Sequence, residues 1–225
     1  MPVIAFANPK GGAGKTTACA LLSAEIARSG TEVIVIDADP NRHLTAWSKL
    51  PGKPDALSVI SEVNEQTMLK TIAAASAKAP FVIIDLEGTA SLMTSYAITR
   101  SDLVIIPMQG SHMDASQGAR IFELISNQSE ISQRVIPFSV LYTRVAAAIQ
   151  PKTLQHIRAE ISAAGIHALP VELIDREAYR AIFSFGGTVS NLGEHGLKNL
   201  GAAVENARAY FAAVIDVLKS NVEAK

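Results

Sequence analysis

An α/β fold, with a mainly parallel sheet covered by helices on both faces, is what the sequence predicts, and three observations predict it. Unbroken apolar runs recur at residues 3–7, 33–36, 81–84 and 103–106, and strands buried on both faces read this way rather than as alternation. Segments with apolar residues at helical spacing lie between the runs, which is the order of successive βαβ units. The first run stops at a glycine-rich loop and two others stop at aspartates; in such sheets ligands sit beyond the carboxyl ends of the strands. With 225 residues and no internal repeat, linker or low-complexity stretch, one domain over residues 1–225 is expected.

The elements follow in order. Residues 3–7 form a buried strand. After the glycine loop, Ala18, Leu21, Leu22 and Ile26 fall on one helical face, and Ser29-Gly30 stops that helix. Residues 33–37 are a second buried strand ending in Asp37. Asp39-Pro40-Asn41 is turn chemistry, a short helix starts over residues 44–49, and the prolines at 51 and 54 break the pattern. An alanine-rich helix is expected over 66–79, then strands over 81–85 and 103–107. A helix over 114–127 leads to a strand over 135–142. Pro151 suits the first position of a helix that reaches Ala164 and is stopped by Gly165. A short strand over 167–173 and a loop holding Gly186, Gly187, Gly193 and Gly196 precede a last helix over 197–220.

The chemistry concentrates in Asn8-Pro9-Lys10-Gly11-Gly12-Ala13-Gly14-Lys15-Thr16-Thr17. Strand, glycine loop and helix are the context of a phosphate-binding P-loop. Pro9 stands where the strict pattern G-x-x-x-x-G-K-[ST] has its first glycine; the variant K-G-G-x-G-K-T-T, from Lys10 to Thr17, fits without change. Gly11, Gly12 and Gly14 let backbone N–H groups, with that of Ala13, close on phosphate oxygens. The N-terminus of the following helix adds to the anion site. Lys15 would reach the β- and γ-phosphates and the Thr16 hydroxyl would ligate Mg²⁺, with Thr17 completing the cradle. Asp37, Asp39 and Asp85 fall at strand ends, where they gather around this loop. Carboxylates there can hold Mg²⁺ through its waters, and Asp85, after four apolar residues, is the Walker B candidate. The sequence reads as that of a nucleotide-binding protein.

A second lysine, Lys10, lies ahead of the loop's own lysine. With it the stretch resembles the deviant Walker A motif of the ParA/MinD ATPases, and the likeness continues through Val35-Ile36-Asp37-Ala38-Asp39-Pro40, Asn41, Leu44-Thr45 and Trp47-Ser48-Lys49. It is similar above all to the small single-domain members, the ParF-like plasmid partition ATPases and the ParA-like ATPases of conjugation and T-DNA transfer. The resemblance implies a single-domain P-loop fold, ATP and Mg²⁺ as ligands, and a homodimer in the ATP state. In that dimer Lys10 would reach the partner subunit's nucleotide, Asp39 would orient the attacking water, and Asp37 would lie near the metal. Thr143-Arg144 resembles a nucleotide-side pair of the ParF-like members, and Asp175-Arg176-Glu177 with Tyr179 resembles their later loop. One departure stands out: many relatives follow the Walker B aspartate with Thr-Pro-Pro, and this chain has Asp85-Leu86-Glu87-Gly88-Thr89. Glu87 is either a negative charge near the phosphates or a solvated loop carboxylate.

Composition sets the remaining bounds. Hydrophobic residues make up 48% and charged residues 18%, a globular balance. A formal net charge of −1 argues against a highly basic nucleic-acid protein, though not against a basic patch completed by dimerisation. Cys19 is the single cysteine, which fits a reducing cytoplasm and excludes the cluster-bearing nitrogenase iron protein. No signal peptide, membrane-length apolar run or N-terminal helix-turn-helix extension is expected. The C-terminal segment carries two acids and two lysines, unlike the basic amphipathic helix of a MinD-like membrane-cycling protein. The five histidines lack metal-ligand spacing, and Trp47 is read as packing the segment after Asp39 onto the body. By resemblance the expected function is an ATPase that binds DNA non-specifically and segregates plasmid DNA with a centromere-binding or other adaptor protein. Such a protein would be cytoplasmic and associated with the nucleoid, without membrane contact. The alternatives are an accessory ATPase of a conjugation or T-DNA relaxosome, and positioning of a protein cluster. A synthetase on the same fold would need a substrate pocket the sequence does not locate. Lys198, Arg208 and Lys219, with Lys152 and Arg158 behind them, are candidate phosphate contacts for DNA.

Overall fold

The structure is a computed structural model that describes residues 1–89, 91–110, 112–148 and 151–223, with the backbone alone described over 112–117. Seven strands make one sheet: β1 Val3–Phe6, β2 Val33–Asp37, β3 Leu57–Ile60, β4 Phe81–Asp85, β5 Leu103–Met108, β6 Phe138–Val145 and β7 Leu173–Ile174. Their order is β3-β2-β4-β1-β5-β6-β7, and every pairing is parallel. The sheet therefore grows outward in both directions from β1, and the gap that opens beyond the end of β1 is the topological switch point.

Unbroken apolar strands serve two cores at once. Ile4 and Phe6 face one layer, with Val33 and Val35; Val3, Ala5, Ile34 and Ile36 face the other. The first layer holds α1 Lys15–Arg28, α2 His43–Ser48, α7 Glu177–Phe185 and α8 Gly201–Glu223. The second holds α3 Met68–Lys78, α4 Leu92–Arg100, α5 His112–Ser132 and α6 Lys152–Ala163. At about 25 cal/mol per Å² of apolar surface removed from water, these two interfaces are the main stabilising term.

The expected strand–helix order is present, with differences that have physical reasons. β6 begins at Phe138 rather than 135, because Val135 is 82% exposed before the chain enters the sheet. The strand expected over 167–173 reduces to an isolated bridge between Val140 and Ala168 and the two residues of β7. The glycine segment after α7 contains a 3₁₀ helix, Val189–His195, closed by a Thr188–Asn191 capping box. α5 runs longer than expected, to Ser132, and α8 begins four residues late, at Gly201. β3, α4 and α7 were not expected: β3 is short and only partly buried, and α4 shows little apolar periodicity.

Candidate nucleotide and magnesium site

The loop between β1 and α1 is built from its own side chains outward. Asn8 closes its entrance: its carbonyl oxygen Oδ1 accepts the Lys10 N–H at 2.8 Å, and its amide donates to the Pro107 carbonyl at 2.6 Å. Gly12 and Gly14 have φ of 77° and 94°, the left-handed region where a side chain is strained. A Cβ on Gly14 would also stand 3.3 Å from the Thr143 side chain. Two residues brace the loop from the β5 and β6 side: Gln109 Nε2 donates to Gly12 O at 2.7 Å, and Thr143 Oγ1 donates to Ala13 O at 2.7 Å. Lys15 is buried, and its ammonium donates to the Asn8 and Lys10 carbonyls at 3.0 and 3.3 Å. Burial lowers its pKa, with Asp85, Asp39 and Glu87 among the charges that oppose the shift. Lys10 and Lys15 are thus held at one loop, joined by a bond from the side chain of one to the backbone of the other.

The register Asp37↔Asp85 sets the two strand-end carboxylates side by side on β2 and β4. Both are fully buried, yet their surroundings differ. Asp37 Oδ2 accepts the Thr45 N–H at 2.8 Å and the Thr45 hydroxyl at 2.6 Å, so it caps the first turn of α2 across the sheet end; its other oxygen is buried without a partner. Neither oxygen of Asp85 has a partner in normal hydrogen-bond geometry. Burial raises its pKa to about 7, opposed by the neighbouring Thr16 hydroxyl and Lys15 and reinforced by Asp37 and Asp39. A buried carboxylate with both oxygens unsatisfied is costly, and a hydrated cation beside Thr16 would satisfy it. The residues present fit Mg²⁺ held by Thr16 and Asp85, directly or through water, with Asp37 contributing one oxygen. Among the described residues no three His, Cys, Asp or Glu side chains form a metal cluster; an ion held largely by phosphate and water does not need one.

Two cavities meet along the glycines of the loop. A cleft of about 450 Å³ is lined by the loop glycines, Lys15 and Thr16 on one side and by Asp39, His43 and Glu87 on the other. Asp39 is partly exposed there, its Oδ1 accepting both N–H groups of Asn41. At the Gly14–Thr17 end the cleft meets a smaller cavity, about 150 Å³, lined by Thr143, Arg144, Arg176 and Tyr179. Arg144 reaches both cavities because β6 bulges there: the register with β7 shifts between Thr143 and Val145, and Arg144 has φ of 52°. Arg176 Nε is buried without a partner. Tyr179 is turned into α8, its hydroxyl meeting Ala203 O and Asn206 Oδ1, both at 3.0 Å. Of the expected site residues, Gly11, Gly12, Gly14, Lys15, Thr16, Thr17, Asp39, Thr143, Arg144 and Arg176 line these two cavities, whereas Ala13, Asp37 and Asp85 are buried beneath them and Lys10 lines neither. Gln109 and His43 were not among the expected site residues, and Thr45 was named only as part of the family likeness; the fold brings all three to the site. Away from this site, Arg158 is bonded to Glu172 and lies over the Tyr142 ring. Lys152, Lys198, Arg208 and Lys219 are exposed.

A glycine loop at the head of a central parallel strand, with carboxylates on the next two strand ends, is the arrangement of P-loop nucleotide-binding domains of the ParA/MinD class. Within that class the chain belongs to the VirC1 family, described as VirC1 protein, which matches residues 1–224. It is 39% identical over 222 residues to Protein ParA of Rhizobium radiobacter, covering 97% of this chain and 98% of that one. Two solved structures have the same fold at low identity. An alanine variant of Cyanothece McdA in complex with ATP matches with a TM-score of 0.70 and 19% identity, over 92% of this chain and 96% of that one. A plasmid partition protein of Borrelia burgdorferi bound to AMPPNP matches with a TM-score of 0.70 and 17% identity, over 96% and 98%. No helix among the described residues is long and apolar enough to cross a membrane.

Proposed function

We propose that the chain is a Mg²⁺-dependent ATPase of the ParA type that dimerises with ATP, binds DNA without sequence preference and positions plasmid DNA through an adaptor protein that stimulates hydrolysis. The observation that carries the reading is the Lys10–Thr17 loop with the fully buried Asp85 carboxylate beside its Lys15 and Thr16. Relatives named ParA and plasmid partition protein support the cargo. Phosphoryl transfer asks mainly for positioning and charge neutralisation, which this site offers. Loop N–H groups and Lys15 bind the phosphates, and Asp39 at the open side orients water. Lys10 of a second copy neutralises charge as an arginine finger does. When bound, Mg²⁺ would draw charge from the terminal phosphates, held by Thr16 and Asp85. Arg144 and Arg176 line the nucleoside side. A single domain over 1–225, cytoplasmic and nucleoid-associated, belongs to the same reading.

The test is binding of Asp39→Ala to random-sequence duplex DNA with Mg·ATP, with Mg·ADP and with neither, across a salt series. Binding only with ATP, weakening steeply with salt, supports the reading; equal or absent binding in all three states removes DNA as the track. The second reading, an accessory ATPase of a conjugation or T-DNA relaxosome or of a protein cluster, keeps the enzyme and changes the cargo. It is favoured by the match of residues 1–224 to the VirC1 family, whose name is not a plasmid partition name.

A further inference from the structure

The phosphate cleft has two unlike ends. At one end Gly14, Thr17 and Arg144 are shared with the cavity holding Arg176. At the other, Glu87, Gly88 and Thr89 are shared with a cavity of about 370 Å³ that opens toward Arg120. On the ATPase reading, a nucleotide whose base side lies by Arg144 and Arg176 would extend its phosphates along the loop toward the second end, which would set the terminal phosphate on the side of the cleft that Glu87 lines. The backbone next to this carboxylate is closely packed. The Gly88 backbone packs so closely on the P-loop that a Cβ there would stand 3.0 Å from Pro9 O and 3.4 Å from Gly11 N. The Glu87 carboxylate accepts a hydrogen bond from the Thr89 hydroxyl, and its charge is among those acting on Lys15.

A negative charge at that end is a poor neighbour for a phosphate that carries more charge in the triphosphate than in the diphosphate. Like charges in a partly desolvated cleft repel with an energy that falls only slowly with distance. We propose that Glu87 sets the nucleotide preference of the cleft by opposing the terminal phosphate, so that the chain discriminates against the triphosphate relative to the diphosphate until that charge is neutralised. The proposal rests on the ATPase reading and adds a specificity-determining residue to it.

The experiment measures, by calorimetry at low salt with Mg²⁺, the affinities of the full chain for AMP-PNP and for ADP. Glu87→Gln, isosteric and uncharged, should tighten AMP-PNP about tenfold while ADP changes less than about threefold. Glu87→Asp keeps the charge and should keep the parent ratio, and the gain of Glu87→Gln should shrink as salt rises. Glu87→Ala, a second neutral variant, guards against a folding defect in the first and should shift the ratio in the same direction. Equal shifts of both nucleotides, no shift, or the same ratio in Glu87→Asp as in Glu87→Gln overturns the proposal. A Lys15→Ala control separates the two levels. If it loses both nucleotides while the Glu87 ratio stays flat, only the role of Glu87 fails. If it binds as the parent does, the site assignment fails and the proposal with it.

Discussion

Asp85 shows how much one residue can cost the fold that carries it. Its carboxyl titrates at about 7 in the folded chain, raised chiefly by burial, against about 3.9 in an unfolded one. A raised carboxyl destabilises when ionised. The cost is absent below the unfolded pKa, grows as pH rises through the window from about 4 to 7, and is complete above it. Asp85→Asn should therefore raise the melting temperature of the nucleotide-free chain by several degrees at pH 8, with the gain fading toward pH 4. The same variant should lose the Mg²⁺ dependence of nucleotide binding. Thermal melts across that pH range check the first half, and an equal or lower melting temperature at pH 8 would contradict it. Lys15→Ala and Asp39→Ala divide the site differently. The first should lose nucleotide affinity by at least about a hundredfold, since it removes the buried cation of the loop. The second should bind ATP as the parent does and fail to turn it over, which fluorescent-nucleotide titration and phosphate release distinguish. At this scale Lys15, Thr16 and Asp85 were legible because a short contiguous pattern defines each. The pair of hydrogen bonds that Thr45 donates to Asp37 was not, because it depends on where α2 sits after a turn.

The elements show where local reading stops. The four central strands were legible from apolar runs alone, since each is buried on both faces. α7 was hidden by its neighbours: its start was read as a loop and its end as the approach to a glycine segment. That segment is a clasp rather than a spacer. Trp47 on α2 donates its indole N–H to Gly187 O at 3.0 Å, and Gly186, with φ of 85°, passes so near Leu50-Pro51 that a Cβ would lie 2.4 Å from the Pro51 carbonyl. α2 also carries Thr45, the residue that holds Asp37, so the clasp connects the first-layer core to the site. Gly186→Ala should cost on the order of 2–4 kcal/mol, combining a strained φ with a backbone clash. Trp47 is the single tryptophan and is buried, so its fluorescence in a urea titration reports the loss directly. An unchanged midpoint would show that the turn between Leu50 and Gly52 yields freely.

The whole molecule raises the question of how a chain with a formal charge of −1 holds a polyanion. A monomer of this balance has no broad positive field, so affinity for duplex DNA must come from a few exposed cations such as Lys198, Arg208 and Lys219 brought into one row. Two copies double the number of phosphates neutralised, Z, and the logarithm of the binding constant falls with the logarithm of salt at a slope of about −0.9Z. On the proposed function, dimerisation should thus act as the switch for DNA, with Lys10 as its control. Lys10→Ala should keep nucleotide affinity within about threefold of the parent, because Lys15 and the loop N–H groups remain. It should stay a monomer with Mg·ATP in sedimentation experiments and bind duplex DNA no better with ATP than without. If instead Lys10→Ala dimerises and takes DNA as the parent does, the interface lies elsewhere on the chain. The net charge would then have to be overcome by a patch already complete in the monomer, whose salt slope would be the same with ATP, with ADP and with neither.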